Sequence, residues 1–279
     1  MKTDIAIKEF LNYHKANSRE NTIRNHKAML SLFLPVFKER EIESINSDEI
    51  HQFLENTFNT RKQSTKHLRF TQLKAFFNFC INILNINIQN PCCTLLLNKT
   101  YRINRPVYRT IVSKELIDEI IYKTTKTRDR LLLEIQARSG LRIGEALNLC
   151  PKHIKDRRIK IESPKSRKDF EFAYLPSNIA DKLKQYITQN QISTDQKIFN
   201  LSYAGARNII RKAGQQLGVA LKPHDLRRYS ASFASRNGVP LEVVSKVILR
   251  HQNLVTTQVY LGKISEEEAL RWVDSLHNR

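Results

Sequence analysis

Only one stretch of this chain alternates apolar with polar residues, and that constrains its fold more than any other feature. Across Arg157–Pro176, Ile159 and Ile161, then Phe170, Phe172 and Tyr174, recur at every second position, the period of a half-buried strand. The charged run Pro164–Asp169 between them reads as a hairpin tip. Elsewhere apolar residues recur three and four apart, as on a helix that buries one face. The expected fold is mainly α with a small β-sheet, an α+β chain in which one hairpin interrupts a succession of helices.

The first hundred residues read as a small helical bundle. Ile5, Phe10, Leu11 and Tyr13 mark a short helix, with Asp4 near its start. Ser18–Asn21 offers caps for a second, through Ile23, Met29, Leu30, Phe33 and Leu34. Ser47 with Asp48 and Glu49 opens a third, and a fourth runs from about Ser64 to Leu84 through Leu68, Leu73, Phe76, Phe77 and Cys80. Asn90-Pro91 breaks the pattern. Lys99–Arg109 is basic and without helical period, so the expected organisation is a helical domain over 1–98, a basic linker over 99–112 and a mixed domain over 113–279. Helices are expected around Ser113–Tyr122, Arg128–Ser139 and, after Gly140, Ile143–Leu149. They resume from Asn178, with Gly214, Gly218, Pro223, Gly238-Val-Pro240 and Gly262 as punctuation.

Composition narrows the partner. The 279 residues hold 47 Lys plus Arg against 27 Asp plus Glu, a formal charge of +20. Such an excess suits a polyanion, because Lys and Arg gain affinity by displacing counterions from phosphates. The first hundred residues carry 14 basic and 9 acidic groups, so most of the excess lies in the second segment. No apolar run is long enough for a membrane span, and none at the start has signal-peptide character. Cys80, Cys92, Cys93 and Cys150 have neither zinc-ligand spacing nor the density of a disulfide scaffold, which points to reduced thiols in a cytoplasmic protein. With seven glycines and neither GxGxxG nor GxxxxGK[ST], no nucleotide loop is indicated.

Three short blocks carry side chains with chemistry. In Ser139-Gly-Leu-Arg-Ile-Gly-Glu145, Arg142 at a helix start suits a phosphate, held by its planar fork and nearby N–H groups; the plainer reading is a salt bridge to Glu145. In His224-Asp-Leu-Arg-Arg228, His224 and Arg227 are three apart and share a helix face, a plausible pair for proton transfer and anion stabilisation. In Leu249-Arg-His-Gln-Asn-Leu-Val-Thr-Thr-Gln-Val-Tyr260, His251 precedes Tyr260 by nine residues. A phenol is a nucleophile at neutral pH only where cations stabilise its anion. The plainer reading of Val239–Leu261 is a helix-turn-helix DNA reader that turns at His251–Thr256.

All three blocks, in this order and with the hairpin between the first two, closely resemble the tyrosine recombinase (phage integrase) family. Its pattern of "GLRxxE", a hairpin Lys, "HxLR" and "H…TTxxY" stands here as Gly140-Leu-Arg-Ile-Gly-Glu145, Lys165, His224-Asp-Leu-Arg227, and His251 with Thr256-Thr-Gln-Val-Tyr260. Ser18-Arg-Glu-Asn-Thr22 with its long helix, and Ser64…Phe77…Asn90-Pro91, resemble the family's core-binding domain. The resemblance spans nearly the whole chain. It implies a site-specific recombinase in which Tyr260 attacks the scissile phosphate, leaving a 3′-phosphotyrosyl link and a free 5′-hydroxyl. It also implies that Arg142 and Arg227 clamp the non-bridging oxygens, Lys165 protonates the leaving oxygen, His224 assists deprotonation of the tyrosine and His251 donates a hydrogen bond to phosphate. Glu145 is expected to orient neighbours.

No cofactor is implied, neither metal nor ATP, because transesterification keeps the phosphodiester energy in the protein–DNA bond. The implied partners are duplex DNA bearing an inverted-repeat site and a homotetramer, or a paralogous recombinase, on paired sites. The bundle starts almost at Met1, which favours a compact, Xer-like two-domain architecture. Three features depart from the family pattern. Arg250 replaces the usual Gly before the histidine, where it adds a phosphate contact or crowds the turn. Arg228 stands outside the catalytic set. The hairpin is long, so Lys168 is an alternative acid to Lys165. Ser265 before three acids opens a C-terminal helix whose apolar face, Leu270, Trp272, Val273 and Leu276, packs on its own domain or on a neighbouring subunit. The alternative functions are a catalytically idle DNA-binding protein of this fold and a type IB topoisomerase-like relaxing enzyme.

Overall fold

A computed structural model describes residues 1–103, 111–162, 164, 169–261, 269–270 and 272–274. The chain divides into two compact units, Met1–Pro106 and Val107–Arg279.

The first unit is built from α1 (Thr3–Asn17), α2 (Glu20–Phe37), α3 (Ser47–Phe58), α4 (Gln63–Asn82) and the short α5 (Leu95–Thr100). Its core is aromatic: Phe10, Phe33, Phe76 and Phe77 are at most 1% exposed. Phe33 meets Phe53 edge-on at 5.3 Å between centroids, and Phe10 meets Phe76 at 5.4 Å, the geometry in which ring quadrupoles attract. The third helix starts one residue later than its cap. Asn46 accepts from the N–H groups of Asp48 and Glu49, and Glu49 returns a bond to the Asn46 N–H. Ser18 does not cap α2; its hydroxyl pairs with His14 Nδ1 at 2.7 Å instead. The first core also extends beyond residue 98. Tyr101 is wholly buried, donates to Glu55 Oε1 at 3.0 Å and accepts His67 Nδ1 on its carbonyl at 2.7 Å. Residues 104–110 of the expected linker lie outside the described residues.

The second unit is organised around α7 (Thr127–Ser139), which buries Leu131, Leu132, Leu133 and Ile135 on all sides, as an interior helix must. Around it lie α6 (Lys114–Lys123), α8 (Ile143–Leu147), α9 (Ser177–Gln189), α10 (Tyr203–Gln215) and α11 (Pro223–Arg236). The chain then turns through α12 (Leu241–Val243), runs on as a π-helical turn, Val244–Leu249, and ends its described core in α13 (Leu254–Leu261). Among the described residues no helix is long and apolar enough to cross a membrane.

The sheet has one more strand than the alternation predicts. A short β1 (Ile154–Lys155) pairs antiparallel with β2 (Arg158–Glu162), which pairs with β3 (Phe170–Tyr174). Two residues are too few to show a period. Register also reverses the expected face of β3. Ile159 and Ile161 lie opposite Ala173 and Glu171, and cross-strand partners share a face. Ala173 and Glu171 therefore turn inward, while Phe170 and Tyr174 stay about half exposed. The outer face is covered by cations: Arg158 lies 4.6 Å from the Phe172 centroid and Lys160 5.5 Å from that of Phe170. The tip, with Lys165 and Lys168, lies outside the described residues, as does most of the C-terminal segment expected to be helical. Residues 269–270 and 272–274 are helical, and Trp272 stands against Gly238 of its own chain.

Candidate active site

Tyr260 sits near the end of α13, 7% exposed, with its ring edge-on to two imidazoles. Centroid distances are 5.1 Å to His224 and 5.5 Å to His251. Its hydroxyl donates to the His224 carbonyl at 3.3 Å. Burial raises the phenol above its ordinary pKa, and the charges of Arg227, Arg228 and Arg142 pull it back. Cations and a buried phenol are thus assembled, with burial outweighing the cations in the free chain.

Among the described residues Arg227 is the largest side chain to be almost completely buried, 1% exposed. Its Nη1 donates to the Gly140 carbonyl and its Nη2 to the Leu249 carbonyl, so one guanidinium ties the first and third blocks together. Burial pushes it down to about 9, and repulsion from Arg142 and Arg250 adds to this, against Tyr260 and Glu145. Gly140 makes the approach possible. Its φ is +64°, and a Cβ there would lie 2.8 Å from Ile248 Cγ2 and 3.1 Å from the Ile248 carbonyl. His224 and Arg227 do not share an environment: Arg227 turns into the core, and His224, in the first turn of α11, is exposed.

For Arg142 the structure shows the plainer reading, a salt bridge. It pairs with Glu145, Nη1 to Oε1 at 2.7 Å, and stays about a quarter exposed. Its own N–H is taken by Glu145 Oε2 at 2.8 Å, so that backbone donor is occupied. Arg250 donates to the same carboxylate at 2.5 Å. Glu145 stays ionised below the usual carboxylate range: burial alone would raise it, but Arg250 and then Arg142 outweigh that. His251 is placed by its neighbours. Its Nδ1 is 3.0 Å from Thr257 Oγ1, and that buried hydroxyl is 2.9 Å from Ser245 Oγ. Burial, followed by Arg227, Arg142, His224 and Arg250, holds the imidazole down to about 4.

Arg142, His224, Arg227, His251 and Tyr260 therefore belong to one neighbourhood, and Lys165 lies outside the described residues. Sequence reasoning passed over Arg228. Its guanidinium lies 4.9 Å from the Tyr260 centroid and its Nε donates to the Tyr260 carbonyl at 3.2 Å. Its place one residue after Arg227 carried no signal of this, because the contact forms across 32 residues. Thr257 and Ser245 were also missed, although Thr257 is part of the Thr-Thr-x-x-Tyr block. Among the described residues no group of three or more His, Cys, Asp or Glu side chains is placed to hold a metal.

Comparison with known proteins agrees with this geometry. Residues 109–267 match the model of the phage integrase family, and residues 7–82 match the phage integrase N-terminal SAM-like domain. The chain is 26% identical over 278 residues to a tyrosine recombinase of Pseudothermotoga lettingae, covering 94% of this chain and 95% of that one. It is 25% identical to tyrosine recombinase XerC of Leptospira interrogans, covering 94% and 89%. Among solved structures, the Tn1549 transposon integrase in complex with a circular intermediate DNA superposes with a TM-score of 0.76 at 15% identity, over 99% of both chains. A lambda integrase dimer bound to a COC′ core site gives 0.75 at 14%, over 95% of this chain and 97% of that one. The chain belongs to the phage integrase family, that of the site-specific tyrosine recombinases.

Proposed function

We propose that Tyr260 is the nucleophile with which this recombinase breaks and rejoins duplex DNA, one strand pair at a time. The observation that carries the reading is the setting of Tyr260, a buried phenol edge-on to His224 and His251 and within the field of Arg227, Arg228 and Arg142. In the free chain the hydroxyl rests on the His224 carbonyl. An incoming phosphate offers it an electrophile, and His224 takes its proton. The Tyr260–phosphorus bond forms as the bond to the 5′-oxygen breaks, and that oxygen takes a proton from Lys165, or from Lys168. Arg142 and Arg227 stabilise the charge on the non-bridging oxygens, where fixed guanidinium forks act most strongly. Attack by a second 5′-hydroxyl reverses the chemistry on a new strand.

His251 donates to the phosphate through Nε2. As a neutral imidazole it does so only when Nδ1 is the acceptor, and that requires the Thr257 hydroxyl, which donates to Ser245 Oγ in the free chain, to turn its proton to Nδ1. The mechanism asks for no cofactor. The helical unit, residues 1–98 with the basic linker 99–112, acts as the core-binding module, and residues 113–279 as the catalytic domain. The partners are duplex DNA with an inverted-repeat site and further copies of this chain, as a tetramer, or a paralogue. Four cysteines that are all free thiols suit a cytoplasmic protein.

Covalent capture tests this. The chain is mixed with DNA from its source organism and denatured with detergent, and the protein-linked fragments are sequenced beside those of Tyr260→Phe. Enrichment of a defined inverted-repeat site, lost in the variant, is the expected result. Dispersed adducts lost in the variant would mean topoisomerase-like relaxation instead. Salt-sensitive binding with no adduct would leave an idle DNA-binding protein.

A further inference from the structure

Arg250 stands at φ 50° and ψ 50°, the left-handed region, where a residue bearing a Cβ is strained and glycine is not. The strain accompanies a buried charge, since Arg250 is 5% exposed. Its Nη2 donates to Glu145 at 2.5 Å, its Nη1 to the Ile248 carbonyl at 3.1 Å, and its Nε lies 3.6 Å from Glu171 Oε2. Both carboxylates are about 10% exposed. Glu145 in turn holds Arg142 by guanidinium and by N–H. Two carboxylates and two guanidiniums thus form a charge-balanced chain from β3 to Arg142, in which the Arg250–Glu171 link is an ion pair without a hydrogen bond.

Arg250 directs its donors into the protein, onto Glu145, Ile248 and Glu171, with its side chain only 2% exposed, and so reaches between α8 and β3. A buried ion pair gives little net stability against apolar packing, so a strained and desolvated arginine here calls for another reason. Glu171 supplies it. Register alone turned this carboxylate inward, and Arg250 is the cation it meets.

We infer that Arg250 is a positioning residue that fixes the orientation of Arg142 by tying Glu145 to Glu171 on β3. The inference rests on the reading of Arg142 as a phosphate clamp. Strand β3 is the return leg of the hairpin, so a displacement of the hairpin is felt at Arg142 through Glu171, Arg250 and Glu145.

Four variants test it: Arg250→Gly, which suits the backbone but deletes the charge, Glu171→Gln, the pair together, and Arg250→Lys. The readouts are the rate of covalent adduct formation on saturating sheared genomic DNA from the source organism, its pH profile, and amide hydrogen exchange of β3 in the free chain. Arg250→Gly is expected to slow adduct formation about 10- to 100-fold, the effect of misplacing a clamp by about an ångström. Its acid limb should move to higher pH, because Glu145 then faces Arg142 from its own turn and Arg227 from α11, without Arg250. Exchange at Glu171 and Phe172 should quicken several-fold. Glu171→Gln should show a smaller loss, and the double variant no more than Arg250→Gly alone. Arg250→Lys should recover part of the rate, since it restores the charge without the fork. A wild-type rate, pH profile and β3 exchange in Arg250→Gly would overturn the inference, as would strictly additive losses in the double variant. Failure of the underlying reading looks different: the native chain itself would form no adduct that Tyr260→Phe lacks. The exchange arm still decides the tether in that case, and unchanged β3 protection in Arg250→Gly would reject it.

Discussion

The two units bury opposite kinds of material. The first packs rings on rings: Phe10, Phe33, Phe53, Phe76 and Phe77 meet mostly edge to face, and the buried groups around them are nearly all apolar. The second encloses Arg227, Arg250, Asp129, Glu134 and Gln136, each 7% exposed or less. Desolvating a guanidinium costs several kcal/mol, which pairing returns only when the geometry is very good. Rings serve stability alone. Of the buried polar groups, Arg227 sets its charge beside Tyr260, whereas Asp129 and Glu134 pair with Arg128 and Lys182. Under the proposed mechanism a charge fixed before any phosphate arrives stabilises a transition state that gathers negative charge.

This contrast is easiest to break at Arg227 and Phe33. Arg227→Ala removes the proposed clamp and leaves the Gly140 and Leu249 carbonyls without their donor. Adduct formation is expected to fall by about 10²–10³-fold or more, measured as single-turnover covalent capture, whereas stability should fall by about 1–3 kcal/mol. Phe33→Ala should do the reverse. It empties a wholly buried ring site and costs about 3–5 kcal/mol in denaturant unfolding, while the rate per folded molecule at saturating DNA stays within about twofold. A Phe33→Ala chain that is stable but slow would show that the aromatic unit takes part in the chemistry.

Smaller changes sharpen the comparison within the second unit. Gly140→Ala forces a Cβ to 2.8 Å from Ile248 and into a left-handed backbone, at a cost of about 1–3 kcal/mol. Because the Gly140 carbonyl holds Arg227, adduct formation should slow by about tenfold as well. Thr257→Val keeps the volume of a wholly buried residue but removes the hydroxyl from His251 Nδ1. Loss of the Nε2–H tautomer is expected to slow capture by about three- to tenfold, with the unfolding midpoint lowered by only a few degrees. Equal rates for Thr257→Val and the native chain would show that His251 does not need that partner.

Much of this arrangement was legible before any coordinates. The helical periods around Phe10, Met29, Phe53 and Phe76 mark the faces that pack in the first unit, because an amphipathic helix writes its buried side into its own sequence. The three blocks single out Arg142, His224, Arg227, His251 and Tyr260, which the fold brings into one neighbourhood, since each lies in a short run with its own turn residue. What was not legible depends on contacts between distant segments. Glu171 faces inward because of its register with Ile161, and no local pattern fixes a register. Arg228 meets Tyr260, and Arg250 meets Glu145 across 105 residues, for the same reason. The inversion of β3 belongs here too. Its aromatic residues read as a core face, but Arg158 and Lys160 on the neighbouring strand cover them from outside.

The smallest effect is expected at two histidines that burial treats alike. His26 stacks on His14 at 4.8 Å, and burial, followed by the charge of His14, holds it down to about 4; His251 is held down to about 4 as well. An imidazole with a lowered native pKa is neutral when folded but binds a proton when unfolded, below the ordinary value of 6.5. The unfolded state therefore takes up more protons as pH falls through the window from about 6.5 to about 4, and stability is lost across it. Below that window both states are protonated and the loss levels off. His26→Phe should flatten this acid limb in thermal unfolding and leave the pH profile of covalent capture unchanged. His251→Phe should alter the profile of capture, because its imidazole stands edge-on to the ring of Tyr260, the proposed nucleophile. A His26 variant that moved the capture profile would mean that the aromatic unit and the charged one share a titration, and the division drawn between them would fail.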